Sequence, residues 1–206
     1  MYALISSYFS KFAVFTVIFF FFPHTPIQGN SNAKENILTK INILHNGLKK
    51  MHSNQTNNKK LQNILGIINQ TYDTHKMIRI IVGRKWNDLE RKEQKKLVDT
   101  FRKYISHNYL KKFKKINKFN FEYVGIDQLS KKYKICKTLM IIPDENQLEL
   151  NYLFHKKNGD WKIFDVLLNG TISEIAIKRS EFKKIIEEGG IKLLIKEMEK
   201  RINSGH

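Results

Sequence analysis

The chain has 206 residues, with 37 lysines and arginines against 19 acidic residues and a formal net charge of +18. This length allows one domain with a sizeable hydrophobic core. The single cysteine, Cys136, excludes an internal disulfide, and we expect it to be a small buried side chain on a strand rather than a nucleophile. The positive charge favours anionic partners, although a lysine-rich composition is also typical of AT-rich coding sequences.

The first 33 residues have the pattern of an export signal. Lys11 precedes an apolar run of eleven residues, 12–22, which has the length of a signal-peptide hydrophobic region and is short for a bilayer span. Two alternatives remain, a cleaved signal peptide and an uncleaved anchor that starts at Tyr2. We therefore assign residues 1–33 to export and residues 34–206 to a single domain.

Apolar residues at helical spacing predict three helices after the signal. The first two cover residues 34–51 and 56–82. The third begins near Asn87, because Asn87 can cap the first turn and Glu90 stands three residues further on, as in a capping box. The predicted apolar face of this third helix comprises Leu97, Phe101, Tyr104, Ile105 and Tyr109.

From about residue 119 the apolar period changes from helical to alternating, which predicts an antiparallel sheet. The predicted strands are residues 119–123, 133–141, 148–154 and 161–168, with turns at 125–130 and 143–146. Asn158-Gly159 is the strongest short hairpin signal and predicts a two-residue type I′ turn.

This turn also fixes the register of the last hairpin. It places Phe154 opposite Ile163, and it places Tyr152 opposite Asp165. Asp165 then faces the apolar side of the sheet, where a carboxylate needs a hydrogen-bond or charge partner. We name Tyr152 and Arg179 as the candidate partners. Our hypothesis is a structural clamp between this strand and the following helix, and the alternative is a catalytic acid.

The end of the chain is predicted to be helical in two parts. An apolar stripe from Ile175 to Ile186 predicts one helix, Gly189-Gly190 ends it, and a second stripe from Ile191 to Met198 predicts another.

The sequence carries no motif for catalysis or for a metal site. It has no Gly-rich phosphate loop, zinc-type Cys/His spacing or nucleophile elbow. His45 and His52 lie seven residues apart, and we expect them to be solvated rather than to bind a metal.

Two blocks of sequence carry a recognisable order of residues. In residues 160–194 these are Trp161, Phe164-Asp165-Val166, Ser173, Arg179, Phe182 and Gly189-Gly190. In residues 82–113 they are Gly83, Trp86, Asn87, Gln94, Phe101 and Tyr109. In this order the blocks resemble the MlaC, or toluene-tolerance, family of periplasmic phospholipid carriers. The chain departs from the family pattern at Thr171, where glycine is usual, and at Lys178, where an aromatic residue is common; the second change is expected at the rim of the pocket.

We predict an α+β fold with a four- or five-stranded antiparallel curved sheet wrapped by helices, in an NTF2-like arrangement around an apolar cavity. The resemblance implies a carrier without enzymatic activity that moves phospholipid through the periplasm. It also implies the partners, an inner-membrane ABC transporter complex and an outer-membrane lipoprotein complex, and a role in outer-membrane lipid asymmetry. We expect a monomer with phospholipid as cargo, no cofactor and no nucleic-acid partner.

The cavity is expected between the helices and the sheet. The expected lining is Val82, Phe101, Ile105 and Tyr109 from the helices and Leu150, Tyr152, Phe154 and Ile163 from the sheet. Lys111 and Lys112 are expected at its mouth, where they would attract a head-group phosphate or an acidic docking surface; the alternative is an ordinary solvated run of charge. Periodicity alone favours a packed core at these positions, whereas the resemblance favours a lipid pocket.

Two rival functions follow from the residues alone. The charge favours a nucleic-acid-binding protein, whose binding would depend steeply on salt. An exported enzyme on a similar scaffold would need an acid/base pair inside the cavity, and Asp165 with Tyr152 is the candidate pair.

Overall fold

The structure is a computed structural model, and it describes residues 29–204 except residues 53–54, 117 and 144–146. The predicted export signal therefore lies almost wholly outside the described residues, and so does most of the predicted turn at 143–146.

Five α-helices and five β-strands make up the described chain. The helices are α1 (Gly29–Lys49), α2 (Asn57–Thr71), α3 (Thr74–Val82), α4 (Arg91–Phe113) and α5 (Glu174–Asn203). The strands are β1 (Asn120–Ser130), β2 (Tyr133–Ile141), β3 (Leu148–Lys157), β4 (Asp160–Leu168) and β5 (Ile172–Ser173). The strands form one curved antiparallel sheet in chain order. The predicted α+β class with an antiparallel sheet is confirmed.

The helices pack against one another and against the sheet around one core. The predicted stripe of α1 is buried, with Ile37, Leu44 and Leu48 fully inaccessible to solvent. This helix contacts α2, β4 and β1, and the side-chain oxygen of Asn36 accepts the N–H of Trp161. Helix α4 lies at the centre of the helical layer and contacts α2, α3 and α5.

The prediction of one helix over residues 56–82 is wrong, because the chain breaks between α2 and α3. Tyr72 is extended, with φ −103° and ψ 150°, and forms a bridge with Ile163 on the edge of β4. The N–H of Asp73 donates to the carbonyl of Ile163 over 2.8 Å, and the Asp73 side chain caps α3 by accepting the N–H of Lys76. The strand edge supplies partners that compensate for the lost helical hydrogen bonds.

The predicted cap of the third helix is also wrong by three residues. The chain over Gly83–Asp88 forms a short 3₁₀ segment that buries Trp86 in the core. Glu90 is the N-cap of α4 and forms a capping box with Glu93, whose carboxylate accepts the Glu90 N–H over 3.1 Å. The side-chain amide of Gln94 donates to the carbonyls of Trp86 and Leu89 and holds this connection in place.

Strand β1 is longer than predicted, so the turn predicted at residues 125–130 is wrong. The pairing with β2 shifts between Tyr123 and Gly125, which leaves Val124 as the extra residue of a β-bulge. Glycine within a strand often marks such a bulge rather than a turn. The chain reverses at residues 131–132 instead.

The register of the β3–β4 hairpin agrees with the prediction from the turn as far as Phe154 and Ile163, and a bulge at Phe164 shifts it beyond that point. Phe154 pairs with Ile163 as predicted, and Asn158 and Gly159 have the positive φ angles of a type I′ turn. Phe164 is then an extra residue on β4, so Tyr152 pairs with Val166 instead of Asp165. This shift turns Val166 toward the same face as Tyr152.

Helix α5 is interrupted where Gly189-Gly190 predicted a break. Both glycines have non-helical backbone angles, and Gly190 has φ 66° with ψ −162°, which few residues other than glycine adopt. The predicted break between the two helical parts is confirmed.

Candidate binding cavity

A cavity of about 760 Å³ lies between the sheet and helices α3, α4 and α5. Its apolar lining is Met77 and Ile81 from α3, Phe101, Ile105 and Phe113 from α4, Ile116 after α4, Met140, Leu148, Leu150, Val166 and Leu168 from the sheet, and Ile175 from α5. The interior of the cavity is therefore mainly apolar, and it has the size of a pocket for a small organic ligand.

Helix α4 forms the long wall. Phe101, Ile105, Tyr109 and Phe113 are spaced four residues apart, so they lie on one face of the helix. At a rise of 1.5 Å per residue, this face extends over about 18 Å. The cavity is accordingly elongated along α4.

The opposite wall comes from the concave face of the sheet. Leu148, Leu150 and Tyr152 alternate along β3, so they point to the same face. Val166 joins this face because of the bulge at Phe164.

The structure brings together five of the eight side chains expected to line the cavity: Phe101, Ile105, Tyr109, Leu150 and Tyr152. The other three, Val82, Phe154 and Ile163, are buried in the core but do not line the cavity. Phe154 and Ile163 lie nearer to the Asn158-Gly159 turn. Val82 is the last residue of α3, one position after the lining residue Ile81, and successive residues point about 100° apart around a helix.

From α3 and the segment before it, the sequence analysis selected only Val82 and missed the residues that line the cavity. Met77 and Ile81 are four residues apart and line the cavity together with Tyr72. Their spacing is visible in the sequence, but the break that positions Tyr72 depends on the distant edge of β4.

Basic side chains surround the mouth of the cavity. Lys111, Lys112, Lys115, Lys178 and Arg201 belong to the lining together with Glu174 and Glu181, which leaves an excess of three positive charges. Lys112 and Glu174 form an ion pair of 3.2 Å, and Lys178 and Glu181 form one of 2.8 Å. Although partial burial works to lower the pKa of Lys178, the hydrogen bond to Glu181 and the nearby charges outweigh it and raise this pKa. Lys178 therefore stays charged at neutral pH.

A few hydroxyls interrupt the apolar walls. The hydroxyls of Tyr72 and Tyr109 are hydrogen-bonded to each other over 2.5 Å, and that of Tyr152 is 3.0 Å from Nε2 of His45.

His45 was expected to be solvated, which is wrong: it is buried and stacked on Phe121, with ring centroids 3.7 Å apart. Burial, with a smaller contribution from Lys49, lowers the pKa of His45 to about 3. The imidazole is therefore neutral at physiological pH.

Asp165 does not line the cavity but connects β4 to the start of α5. Its Oδ1 accepts the N–H of Val166 over 2.8 Å and the N–H of Ile175 over 3.1 Å, and its Oδ2 accepts the hydroxyl of Ser173. The Ser173 oxygen also caps α5 by accepting the N–H of Ala176.

The expected partners of Asp165, Tyr152 and Arg179, are therefore wrong. The hydroxyl of Tyr152 is bonded to His45, and Arg179 is exposed near Gly83. The bulge at Phe164 is the physical reason, because it removes Asp165 from the position opposite Tyr152.

The described part of the chain shows neither a membrane-spanning helix nor a metal-binding cluster. None of its helices is long and apolar enough to cross a membrane. Its histidine, cysteine and acidic side chains form no group of three that could hold a metal ion.

The chain is similar to known proteins in sequence and in fold. A family model described as MlaC protein matches residues 39–200. No curated protein matches the sequence. Among solved structures, the fold is similar to that of a phospholipid-binding protein from Ralstonia solanacearum in complex with a phospholipid, with a TM-score of 0.68 and 15% identity. The match covers 84% of this chain and 98% of that chain.

Proposed function

Because the chain belongs to the MlaC family, we propose that it is a phospholipid carrier that holds its cargo in the cavity without covalent chemistry. The observation that carries this proposal is the cavity itself, about 760 Å³ with mainly apolar walls and a basic mouth. The similar fold of the Ralstonia solanacearum protein, which was solved with a phospholipid, supports it.

The energetic need for a carrier follows from the acyl chains. Exposing one methylene to water costs roughly 0.8 kcal/mol of transfer free energy. A chain of about fifteen methylenes therefore costs about 12 kcal/mol. If a methylene fills about the volume of a water molecule in the liquid, roughly 30 Å³, one such chain needs about 450 Å³. The cavity therefore has room for one acyl chain and part of a second.

The charged mouth suits the other end of a phospholipid. Lys111, Lys112 and Lys115 lie at the C-terminal end of α4 and just beyond it, where the helix dipole adds negative potential that they offset. A head-group phosphate at the mouth would meet an excess of positive charge while the tails lie between α4 and the sheet. Lysine suits this task because it is a hydrated point charge that attracts a phosphate without demanding one geometry.

We further propose that the carrier works as a monomer in the periplasm, between an inner-membrane ABC transporter complex and an outer-membrane lipoprotein complex. Its role there is to maintain the lipid asymmetry of the outer membrane. Family membership supports these partners and this role, and the apolar run at residues 12–22 supports export. The net charge of +18 supports attraction to anionic lipid or acidic protein surfaces.

No structural observation favours either rival function. The enzyme alternative needs Asp165 and Tyr152 as a pair inside the cavity, whereas Asp165 is bonded to Ser173 and Ile175 outside the lining. The nucleic-acid alternative rests on the same net charge and leaves the apolar cavity without a role.

Native mass spectrometry and lipid extraction of the full chain, released from a bacterial periplasm, test the carrier. We expect about one phospholipid per wild-type chain. Leu150→Trp should lose most of this lipid because Leu150 is 6% exposed in the cavity wall, so the larger indole ring obstructs the space that an acyl chain would occupy. Leu129→Trp is the matched control, since Leu129 is 57% exposed on β1, and should keep its lipid.

The lipid content is compared only between proteins that fold, and circular dichroism checks the folding of each variant. If Leu150→Trp fails to fold, Val166→Phe narrows the same cavity from β4. An empty wild-type protein, or full lipid occupancy in the cavity-narrowing variant, would overturn the proposal.

A further inference from the structure

Tyr72 and Tyr109 line the cavity, and only one of their two hydroxyl protons is used in a hydrogen bond. Tyr72 is 4% exposed, and its hydroxyl is bonded to that of Tyr109. Two phenols carry two hydroxyl protons, but their mutual bond uses one. Among the described residues, neither hydroxyl has another hydrogen-bond partner. One O–H donor is therefore left over in an apolar wall.

Leaving a buried donor without an acceptor is unfavourable, so the surplus proton indicates a missing partner. Burial and neighbouring negative charge raise the pKa of both Tyr72 and Tyr109. Both phenols therefore keep their protons at physiological pH, and the pair remains a donor. The missing partner must be a hydrogen-bond acceptor that enters the cavity.

The position of the pair indicates which part of a lipid it meets. Tyr109 lies three residues before Lys112 on α4, so their side chains are neighbours on one face of the helix. Lys112 forms the ion pair with Glu174 at the mouth, and the charge of Glu174 contributes to the raised pKa of both tyrosines. The tyrosine pair thus lies about one helical turn inside the basic mouth, with Phe101 and Ile105 further along the same face.

In a glycerophospholipid, the groups that lie between the phosphate and the hydrocarbon tails are the ester linkages. Their carbonyl oxygens are good hydrogen-bond acceptors and the methylenes beyond them are not. A phosphate at the lysines would therefore bring the ester carbonyls to the level of the two tyrosines.

We propose that Tyr72 and Tyr109 form a subsite that donates a hydrogen bond to an ester carbonyl of the bound lipid. The subsite makes the carrier selective for ester-linked over ether-linked glycerophospholipids, because an ether linkage has no carbonyl oxygen. This inference rests on the proposed function and names the class of lipid that the cavity prefers.

A competition between matched lipids tests the subsite. Delipidated full-length protein is mixed with vesicles that contain equal amounts of dihexadecanoyl phosphatidylethanolamine and its di-O-hexadecyl ether analogue. The lipid bound to the repurified protein is then quantified by mass spectrometry. One hydrogen bond of ordinary net strength gives an enrichment of the ester lipid of about threefold to tenfold.

The decisive variant is the double substitution Tyr72→Phe/Tyr109→Phe, because either hydroxyl alone still carries a donor proton. Replacing both partners of a hydrogen bond by apolar groups of the same shape is nearly neutral for stability, so the variant should fold, which circular dichroism checks. Its ester-to-ether ratio should fall to about one. Tyr123→Phe is the matched control, since Tyr123 is 45% exposed on β1, and should keep the wild-type ratio.

An infrared measurement gives an independent readout. The carbonyl stretch of bound, ¹³C-labelled ester lipid should lie at lower frequency in the wild-type protein than in the double variant. Equal binding of the two lipids by wild type, or an unchanged ratio in the double variant, would overturn the subsite while leaving the carrier intact. Failure of wild type to bind either lipid would instead overturn the proposed function.

Discussion

At the scale of single residues, Asp165 illustrates what sequence reasoning reaches and where it stops. The hairpin turn and the apolar pattern predicted a buried Asp165 in need of partners; Asp165 is buried, but the pairing with Tyr152 from which this was predicted is not formed. Its actual partners, Ser173 and the N–H of Ile175, follow from the bulge at Phe164. A bulge depends on how the strand fits its neighbours, and the sequence pattern does not show it.

Removing the Asp165 carboxylate should destabilise the fold. Asp165→Ala leaves the hydroxyl of Ser173 and the N–H groups of Val166 and Ile175 without their acceptor. Losing hydrogen bonds to a buried charged group costs about 2–3 kcal/mol. In a chain of this size, that corresponds to a melting temperature lower by roughly 5–10 °C, measured by differential scanning calorimetry.

Asp127→Ala is the control for this substitution. Asp127 is bonded to Lys137 in an ion pair whose two side chains are largely exposed, and such pairs contribute about 1 kcal/mol or less. Equal melting temperatures for Asp165→Ala and wild type would reject a structural clamp at this position.

Asp73 should make the stability of the protein depend on pH. Its carboxylate is buried and accepts hydrogen bonds from His155 over 3.1 Å and from Lys157 over 2.9 Å. Burial alone would raise the pKa of Asp73, but these bonds and the N–H of Lys76 outweigh it and hold the pKa well below its usual range. The ionised carboxylate thus stabilises the fold above the unfolded-state pKa of about 4, and this stabilisation is lost as the pH falls below it.

Asp73→Asn isolates this effect, because asparagine can still cap α3 but carries no charge. We expect the variant to have a lower free energy of unfolding than wild type at pH 7, measured by urea denaturation. The difference should shrink as the pH falls from about 4 to 2, because Asp73 gains a proton in the unfolded chain over this range while the folded carboxylate stays ionised. A difference that stays constant over this range would show that the ionised carboxylate is not the stabilising group.

At the scale of elements, short sequence patterns correctly predicted the features that depend only on neighbouring residues. The apolar stripes of α1 and α4, the Asn158-Gly159 turn and the break at Gly189-Gly190 all depend on residues within a few positions of one another. The break between α2 and α3 was missed because its cause, the edge of β4 at Ile163, is distant in the chain.

The errors at α4 and β1 have a related origin. Asn87 and Glu90 have the spacing of a capping box, but burial of Trp86 keeps this segment in a 3₁₀ turn and moves the cap to Glu90. Gly125 resembles a turn residue, but the pairing with β2 uses it next to a bulge. In both cases a valid local preference yields to tertiary packing.

At the scale of the whole molecule, the sequence resemblance predicted a family that the match over residues 39–200 confirms. It did not separate the residues that line the cavity from those that fill the core. Leu150 and Phe154 lie on the same face of β3, yet Leu150 lines the cavity and Phe154 does not. Both are apolar and buried, so their sequence signals are identical, and they differ in their position along the hairpin, where Phe154 lies nearer to the Asn158-Gly159 turn.

An apolar cavity of about 760 Å³ also has a consequence for stability. An empty space of this kind forfeits packing contacts, and a ligand that binds the native state alone stabilises it by mass action. At a free lipid concentration of one hundred times the dissociation constant, the gain in the free energy of unfolding is about 2.7 kcal/mol, or roughly 5–10 °C in melting temperature for a chain of this length.

We therefore expect delipidated wild type to melt below the lipid-loaded protein by this amount, and to recover after incubation with phospholipid vesicles. Leu150→Trp should melt at the same temperature with and without vesicles, because its indole ring obstructs the cavity and keeps the acyl chain out. Equal melting of stripped and loaded wild type would mean that the lipid binds outside the cavity or not at all.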